Sequence, residues 1–437
     1  MHTSSRGIDR VALIFDEPNL VANAGLLLVA TLVKRLGLES LIDERVTIAS
    51  KSGGFSPGRK VLTLVHAMIA GATHIDHANV LRAGKSAKVL EHRVMAPSTL
   101  GTFLRAFTFG HVRQLESVIG EAICRAWSQM TLPERLAIDV DSTICEVAGR
   151  KKHGASYGYT KKLGCHPLLA TRADTGEVLH ARMRKGSADT QRGTKRFCEE
   201  LIARLRRAGA TGEITCRFDS GYWSEKTLSA LERLQVSYTM AVRAGNQAIA
   251  GIIATIEESS WIGIDYTDDG IAEVAETAYK GRRLIVRRTR LVGPQAKLSP
   301  DWRYFAFLTD LIAPAAEVDA FHRERALTEL DIRDLKEGSG MEHCPSGNFS
   351  ANSAWLCCAV LAHDLMRWTQ LLGEIHDTDG GHRPAVSRTI RSRFISMPGR
   401  LVNRSGRPTL RAPQRWPWRD TFTRALDALR ELSVVVT

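Results

Sequence analysis

The sequence predicts an α/β protein: a mixed sheet flanked by helices, interrupted by a β-rich stretch and preceded by an α-helical N-terminal region. Three observations carry this. Before residue 130 apolar residues recur at spacings of three and four. From about residue 134 period two takes over, and strand-like and helix-like runs then alternate as far as residue 245.

Residues 1–130 read as helical, with periodic apolar positions in Leu62–Ile69 and in Phe103, Phe107, Val112, Leu115, Val118 and Ile119. Pro97-Ser-Thr-Leu-Gly suits a helix start, with Ser98 or Thr99 able to cap it. In 131–245, Leu136–Ile144 alternates as a strand, and Pro167–Ala173 and Glu177–Arg184 are two more, joined by the turn Asp174-Thr-Gly176. A helix over 189–208 gathers Phe197, Leu201 and Leu205 on one face; strand Ile214–Phe218, helix Ser224–Leu234 and strand Val236–Val242 follow. Residues 246–314 are β-rich, with strands expected at 261–266, 271–279, 282–292 and 302–308. Residues 315–376 return to helix at Ala315–Lys336 and Ser353–Leu372, and Asp377-Thr-Asp-Gly-Gly381 reads as a linker into an Arg-rich stretch, 382–437.

Composition narrows the class. A 44% hydrophobic and 24% charged chain of 437 residues excludes a mainly disordered or fibrous protein. Apolar runs fall short of the roughly 20 residues that span a bilayer, so no membrane association is expected. MHTSSRGIDR has no apolar core of the signal-peptide kind, and the eight cysteines form no CxxC pair. A cytoplasmic protein is the expectation. The net charge is +13, and nine of those charges lie in Arg383–Thr437, which holds twelve Arg, no Lys and three acids. Guanidinium groups bind phosphate oxygens bidentately, so this loading favours nucleic acid. Arg391, Arg393 and Arg400 are candidate DNA contacts; a solubilising tail is the plainer alternative.

Three acids stand where they could meet. Asp139 and Asp141 alternate along the first strand and so share a face, and Asp219 ends the strand of Arg217-Phe-Asp-Ser-Gly-Tyr-Trp223. Carboxylates at strand ends beside loops are common in α/β active sites. Glu329 is the third. On a helical wheel His322, Arg325, Arg333 and Lys336 all fall within roughly 40° of it, so one acid sits in a cationic stripe. Ordinary i,i+4 ion pairing would give the same stripe. Two Mg²⁺ ions held by three carboxylates suit phosphodiester chemistry, with one activating the attacking oxygen and the other stabilising the leaving one.

The chain resembles insertion-sequence DDE transposases with a ribonuclease-H-like core, and more narrowly the insertion sequence thirteen-eighty family. The Tyr-x2-Arg-x3-Glu-x6-Lys signature of such transposases falls on His322, Arg325, Glu329 and Lys336 with every spacing intact and His in place of Tyr. Asp141-Ser-Thr143, Ala155-Ser-Tyr-Gly-Tyr-Thr-Lys-Lys-Leu-Gly-Cys-His-Pro-Leu-Leu-Ala170, Asp219-Ser-Gly221, Asn348-Phe-Ser-Ala-Asn352 and Ile69-Ala-Gly-Ala-Thr-His-Ile-Asp76 match as well.

The resemblance implies that Asp141, Asp219 and Glu329 are the catalytic, metal-holding acids, with Asp139 as the alternative first acid. It also implies two Mg²⁺ per active site, with Mn²⁺ as an alternative metal. The β-rich 246–314 segment corresponds to the insertion that related transposases carry between the second and third acids. His322, Arg325, Arg333 and Lys336 are expected at DNA phosphates near the metals. Residues 1–130 and the Arg-rich end are expected on terminal inverted repeats, target DNA as second substrate, and a homodimer in the synaptic complex. The alternatives are a nuclease or resolvase without strand transfer, and a non-catalytic DNA-binding protein derived from a transposase. Arg282, Arg283, Arg287, Arg288 and Arg290 make the inserted hairpin basic, and Trp261 or Trp302 could stack on an unpaired base.

Overall fold

The period-two run after residue 134 becomes the first of nine strands in one mixed sheet. The computed structural model describes residues 11–48, 56–158, 160–267, 270–292, 301–376 and 383–435, so the expected linker at 377–381 lies outside the described residues. The strands are β1 (Arg135–Ser142), β2 (Leu168–Arg172), β3 (Val178–Arg182), β4 (Glu213–Phe218), β5 (Ser237–Val242), β6 (Ile262–Ile264), β7 (Gly270–Tyr279), β8 (Arg282–Leu291) and β9 (Arg303–Thr309). They lie in the order β6-β7-β8-β9-β5-β4-β1-β2-β3.

Strands β1, β2 and β3 form an antiparallel meander, and β2 turns into β3 at Ala173–Gly176, where Gly176 takes a positive φ of 73°. Strands β4 and β5 run parallel to β1, each reached through a helix: α1 (Thr194–Arg207) before β4 and α2 (Glu225–Arg233) before β5. In α1, Phe197, Leu201 and Leu205 are all buried, as their spacing predicts.

The β-rich stretch extends this same sheet: β9 pairs antiparallel with β5, and β8, β7 and β6 follow outward. It also contains a helix, Gln247–Ala254, that alternation did not suggest. The expected single helix Ala315–Lys336 is broken. It runs as α3 (Ala315–Arg323), a 3₁₀ turn Glu324–Ala326, α4 (Leu327–Arg333) and a π-helical turn Asp334–Gly338.

The main core is one continuous cluster joining the N-terminal helices, the sheet and the C-terminal end, and a small second one of Ile285, Phe307 and Val318 lies between the inserted strands and α3. The axis of the main core is α5 (Phe349–Leu372), buried along nearly its whole length between β3 and the helices Pro57–Ile69 and Phe109–Trp127. No helix among the described residues is long and apolar enough to cross a membrane. The Arg-rich end, expected as a tail, folds back on the N-terminal region. Its hairpin Gly399–Arg404/Arg407–Arg411 takes Leu20–Val21 as a third strand, and α6 (Arg419–Glu431) packs on helix Leu26–Arg35 and on α5. Ser405 and Gly406, with φ of 50° and 78°, make the two-residue turn with left-handed centres that a tight hairpin requires.

Candidate active site

Asp139 and Asp141 leave β1 on one face, and their surroundings separate them. Asp139 is 1% exposed, and its two carboxylate oxygens accept from Arg217 Nε at 2.7 Å and Nη2 at 2.8 Å. Arg217 stands opposite Asp139 in the β1–β4 register, is itself fully buried, and also donates to the Phe321 carbonyl at 2.6 Å. Asp139 is therefore consumed in a bidentate pair that ties β1 to β4 and to the end of α3.

Asp141, one step nearer the strand end, lines an open cleft of about 680 Å³ together with Asp219, which follows β4. Because β1 and β4 are adjacent and parallel, both carboxylates emerge at the same, C-terminal edge of the sheet. Asp141 Oδ1 accepts from the Ser142 amide at 2.7 Å and Oδ2 from Arg325 Nη2 at 2.7 Å. Burial raises its pKa from the ordinary aspartate value; Arg325 and the amide oppose this, and the Asp219 and Asp139 carboxylates push it further up. Tyr157, Trp223, Tyr279, Gln191 and Arg243 complete much of the wall.

The cationic stripe is only partly brought to this cleft. Arg325 reaches Asp141, and Lys336 Nζ donates to the Ile144 carbonyl at 3.2 Å, so two cations of the stripe flank the exit of β1. Glu329 lies between them along the helix, exposed, and is not among the cleft's lining residues; Arg333 is exposed too. Among the described residues no group of three His, Cys, Asp or Glu stands close enough to hold a metal ion. His322, expected at a phosphate, instead stacks on Phe307 with ring centroids 4.4 Å apart and shares a 2.7 Å hydrogen bond with Thr239. Burial lowers its pKa to about 3, helped by Arg325, Arg217 and Arg287, so the ring is neutral and fixes the helix to the sheet.

Residues 4–434 match the family model described as transposase DDE domain group 1. The chain belongs to that family. No curated protein matches it in sequence. Among solved structures, a piggyBac transposase determined by cryo-EM as a synaptic complex with hairpin DNA is similar over 86% of this chain and 80% of that one. Its sequence is 12% identical and the TM-score is 0.46.

In this DDE transposase several arginines picked out by charge alone serve the fold. Arg391 donates from Nε to the Ile69 carbonyl at 2.8 Å and from Nη2 to the Met68 and Gly338 carbonyls, and so staples the C-terminal end to the body. The main chain of half-buried Arg393 accepts from Trp416 Nε1 at 2.9 Å. Arg400 pairs with Glu17 at 2.9 Å while half exposed, and Arg404, Arg407 and Arg411 are exposed on the hairpin.

The inserted strands are less basic than their sequence suggests. Arg282 pairs with Glu225 and Glu232, Arg283 with Glu276, Arg287 with Asp319, and Arg288 with Glu258 and Glu273. Arg288 also lies between Trp261 and Trp302, 4.3 and 4.4 Å from their ring centres, which commits both indoles to the fold. Sequence reading missed Arg217 as the partner of Asp139, and the aromatic wall of Tyr157, Trp223 and Tyr279. Trp223 was within reach, four residues past Asp219 in the same strand-exit turn.

Proposed function

We propose that this transposase cuts DNA at the ends of an insertion sequence and joins the freed ends to target DNA by two-metal phosphoryl transfer. One observation carries the reading: Asp141 and Asp219 project from adjacent parallel strands into one open cleft, in a chain of the DDE family. The β1–β2–β3 meander followed by β4 and β5 parallel to β1 supports a ribonuclease-H-like core. The motif matches support membership of the insertion sequence thirteen-eighty group.

The donor set fits a hard divalent cation: Asp141 and Asp219 offer carboxylate oxygens, and Mg²⁺ or Mn²⁺ needs few protein ligands when water and substrate phosphate supply the rest. Such a metal, when bound, polarises the phosphodiester and activates water or a 3′-hydroxyl as nucleophile. The chain's own groups do the remainder. Arg325 holds the Asp141 carboxylate in place, Lys336 presents a cation beside the exit of β1, and Glu329 on the intervening helix α4 is the third acid of this reading. The N-terminal helices and the exposed hairpin arginines grip inverted-repeat DNA, and two copies assemble to pair two ends.

The test is a supercoiled plasmid carrying the inverted repeats, incubated with the protein and Mg²⁺. The wild type yields excised ends and integrated product, whereas Asp141→Asn and Asp219→Asn yield neither while still binding the ends. Cleavage at the wild-type rate by either variant overturns the assignment, and cleavage without integration by the wild type favours a nuclease.

A further inference from the structure

The acids of the proposed reaction sit on a buried polar frame. His166 is fully buried. Its Nδ1 faces the Ala188 carbonyl at 3.0 Å, an oxygen that can only accept, so Nδ1 carries the ring proton. Nε2 is then the acceptor, and the Ser142 hydroxyl, 2.8 Å away, donates to it. Ser142 in turn gives its main-chain amide to Asp141 Oδ1 at 2.7 Å.

The other side of His166 is fixed just as closely. Its main-chain amide and carbonyl both meet Arg184: the amide donates to the Arg184 carbonyl at 3.0 Å, and the carbonyl accepts from Arg184 Nε at 3.0 Å. Arg184 Nη1 donates to the Thr190 and Arg192 carbonyls at 2.9 and 3.1 Å. Ala188 and Thr190 line the cleft together with Ser142 and Asp141. One imidazole thus connects the exit of β1 to the Ala188–Thr190 part of the cleft wall.

Resting on the function proposed above, we infer that His166 is a positioning residue: through Ser142 it sets the Asp141 carboxylate against the cleft wall. A serine whose proton is committed to His166 is an acceptor only toward any other neighbour, so its hydroxyl cannot turn to compete for the Asp141 carboxylate. Side chains that orient acids from behind in this way typically cost about 10- to 100-fold in activity or metal affinity when removed.

The experiment uses the full chain and one inverted-repeat end, measuring single-turnover cleavage, end-binding affinity, melting temperature and the Mg²⁺ concentration for half-maximal rate. Ser142→Ala removes only a half-buried hydroxyl, and His166→Asn keeps a donor where Nδ1 stands while losing the Nε2 acceptor. Each is expected to cleave about 10- to 100-fold more slowly and to need more Mg²⁺, with end binding unchanged. The double variant should be no slower than the slower single one, because both remove one interaction. Ser142→Ala cleaving at the wild-type rate, or a double variant whose defects multiply, overturns the inference. Asp141→Asn keeps the two questions apart: if the wild type cleaves and Asp141→Asn does not, normal rates in the Ser142 and His166 variants reject the positioning role alone. A wild type that cleaves no DNA rejects the function itself.

Discussion

Asp139 and Asp141 differ by two positions on a strand, and sequence left the choice between them open because alternation gives both the same face. The group that sets them apart is Arg217, which consumes Asp139 and lies 78 residues away in the chain. Such a contact depends on the β1–β4 register, which no local pattern encodes. The two acids should therefore fail differently. Arg217→Met strands a buried carboxylate and should cost about 3–5 kcal/mol of stability, read as a lowered denaturant midpoint. Asp141→Asn should change stability by about 1 kcal/mol or less while abolishing cleavage. His322 gives a second prediction. Its ring resists protonation down to about pH 3, whereas in the unfolded chain it takes a proton near its ordinary value of 6.5. Unfolded protein thus binds more protons between those values, and stability falls as pH drops from 6.5 toward 3, by at most about 1.4 kcal/mol per pH unit from this group. Melting curves of His322→Phe across that window should fall less steeply than those of the wild type. An unchanged slope would mean that the ring titrates normally in the fold. The departure from Tyr at this position was legible in the sequence; that the side chain stacks on Phe307 was not.

The strands and helices of the sheet were largely legible, since buried periodicity is a local property. Each predicted strand from Leu136 to Leu308 has its counterpart within a few residues. The helix carrying Arg325 and Lys336 was less so, because a wheel assumes constant phase. A 3₁₀ turn at Glu324–Ala326 and a π-helical turn at Asp334–Gly338 break that phase on either side of α4. The anchor is visible in the packing: Asp334 accepts from Arg367 Nη2 at 2.9 Å and from the Ser387 amide and hydroxyl at 2.9 Å each, and Asp331 pairs with Arg383. Burial pushes the Asp331 carboxyl up to about 6 even so. These bonds dock the element that brings Arg325 to Asp141 and Lys336 to Ile144. Asp334→Ala should leave Arg367 buried and underpartnered, cost about 3 kcal/mol or more, and lower cleavage in the surviving folded fraction, since the element's position is loosened. Thermal denaturation followed by cleavage of the same preparation below the melting range checks both halves. Normal stability would show that α5 and the sheet hold the element without this ion pair.

At the scale of the molecule, the charge of +13 divides by partner rather than by position along the chain. Composition placed most of it in the last 55 residues and pointed to nucleic acid, but could not tell structural arginines from free ones. Arg391 shows why: the carbonyls of Met68 and Ile69 that it binds lie more than 300 residues away in sequence. Arg383 is held by Asp331, and most arginines of the inserted strands are paired with acids on those strands or on the helices α2 and α3, whereas Arg404, Arg407 and Arg411 stand exposed on one hairpin beside the N-terminal strand Leu20–Val21. If this hairpin grips DNA backbone, each contact releases condensed counterions, and the logarithm of affinity falls with the logarithm of salt by about 0.9 per phosphate neutralised. Replacing the three by Gln should therefore flatten the salt slope by about 2.7 and weaken binding to inverted-repeat and unrelated duplexes alike, because phosphate contacts carry no sequence information. Arg391→Gln makes the opposite case, with lower stability and an unchanged slope in the folded protein. Titrations of labelled duplexes from low to physiological salt distinguish the two. A triple variant whose slope matches the wild type would move the DNA-binding face away from the hairpin and toward the helices of the N-terminal region.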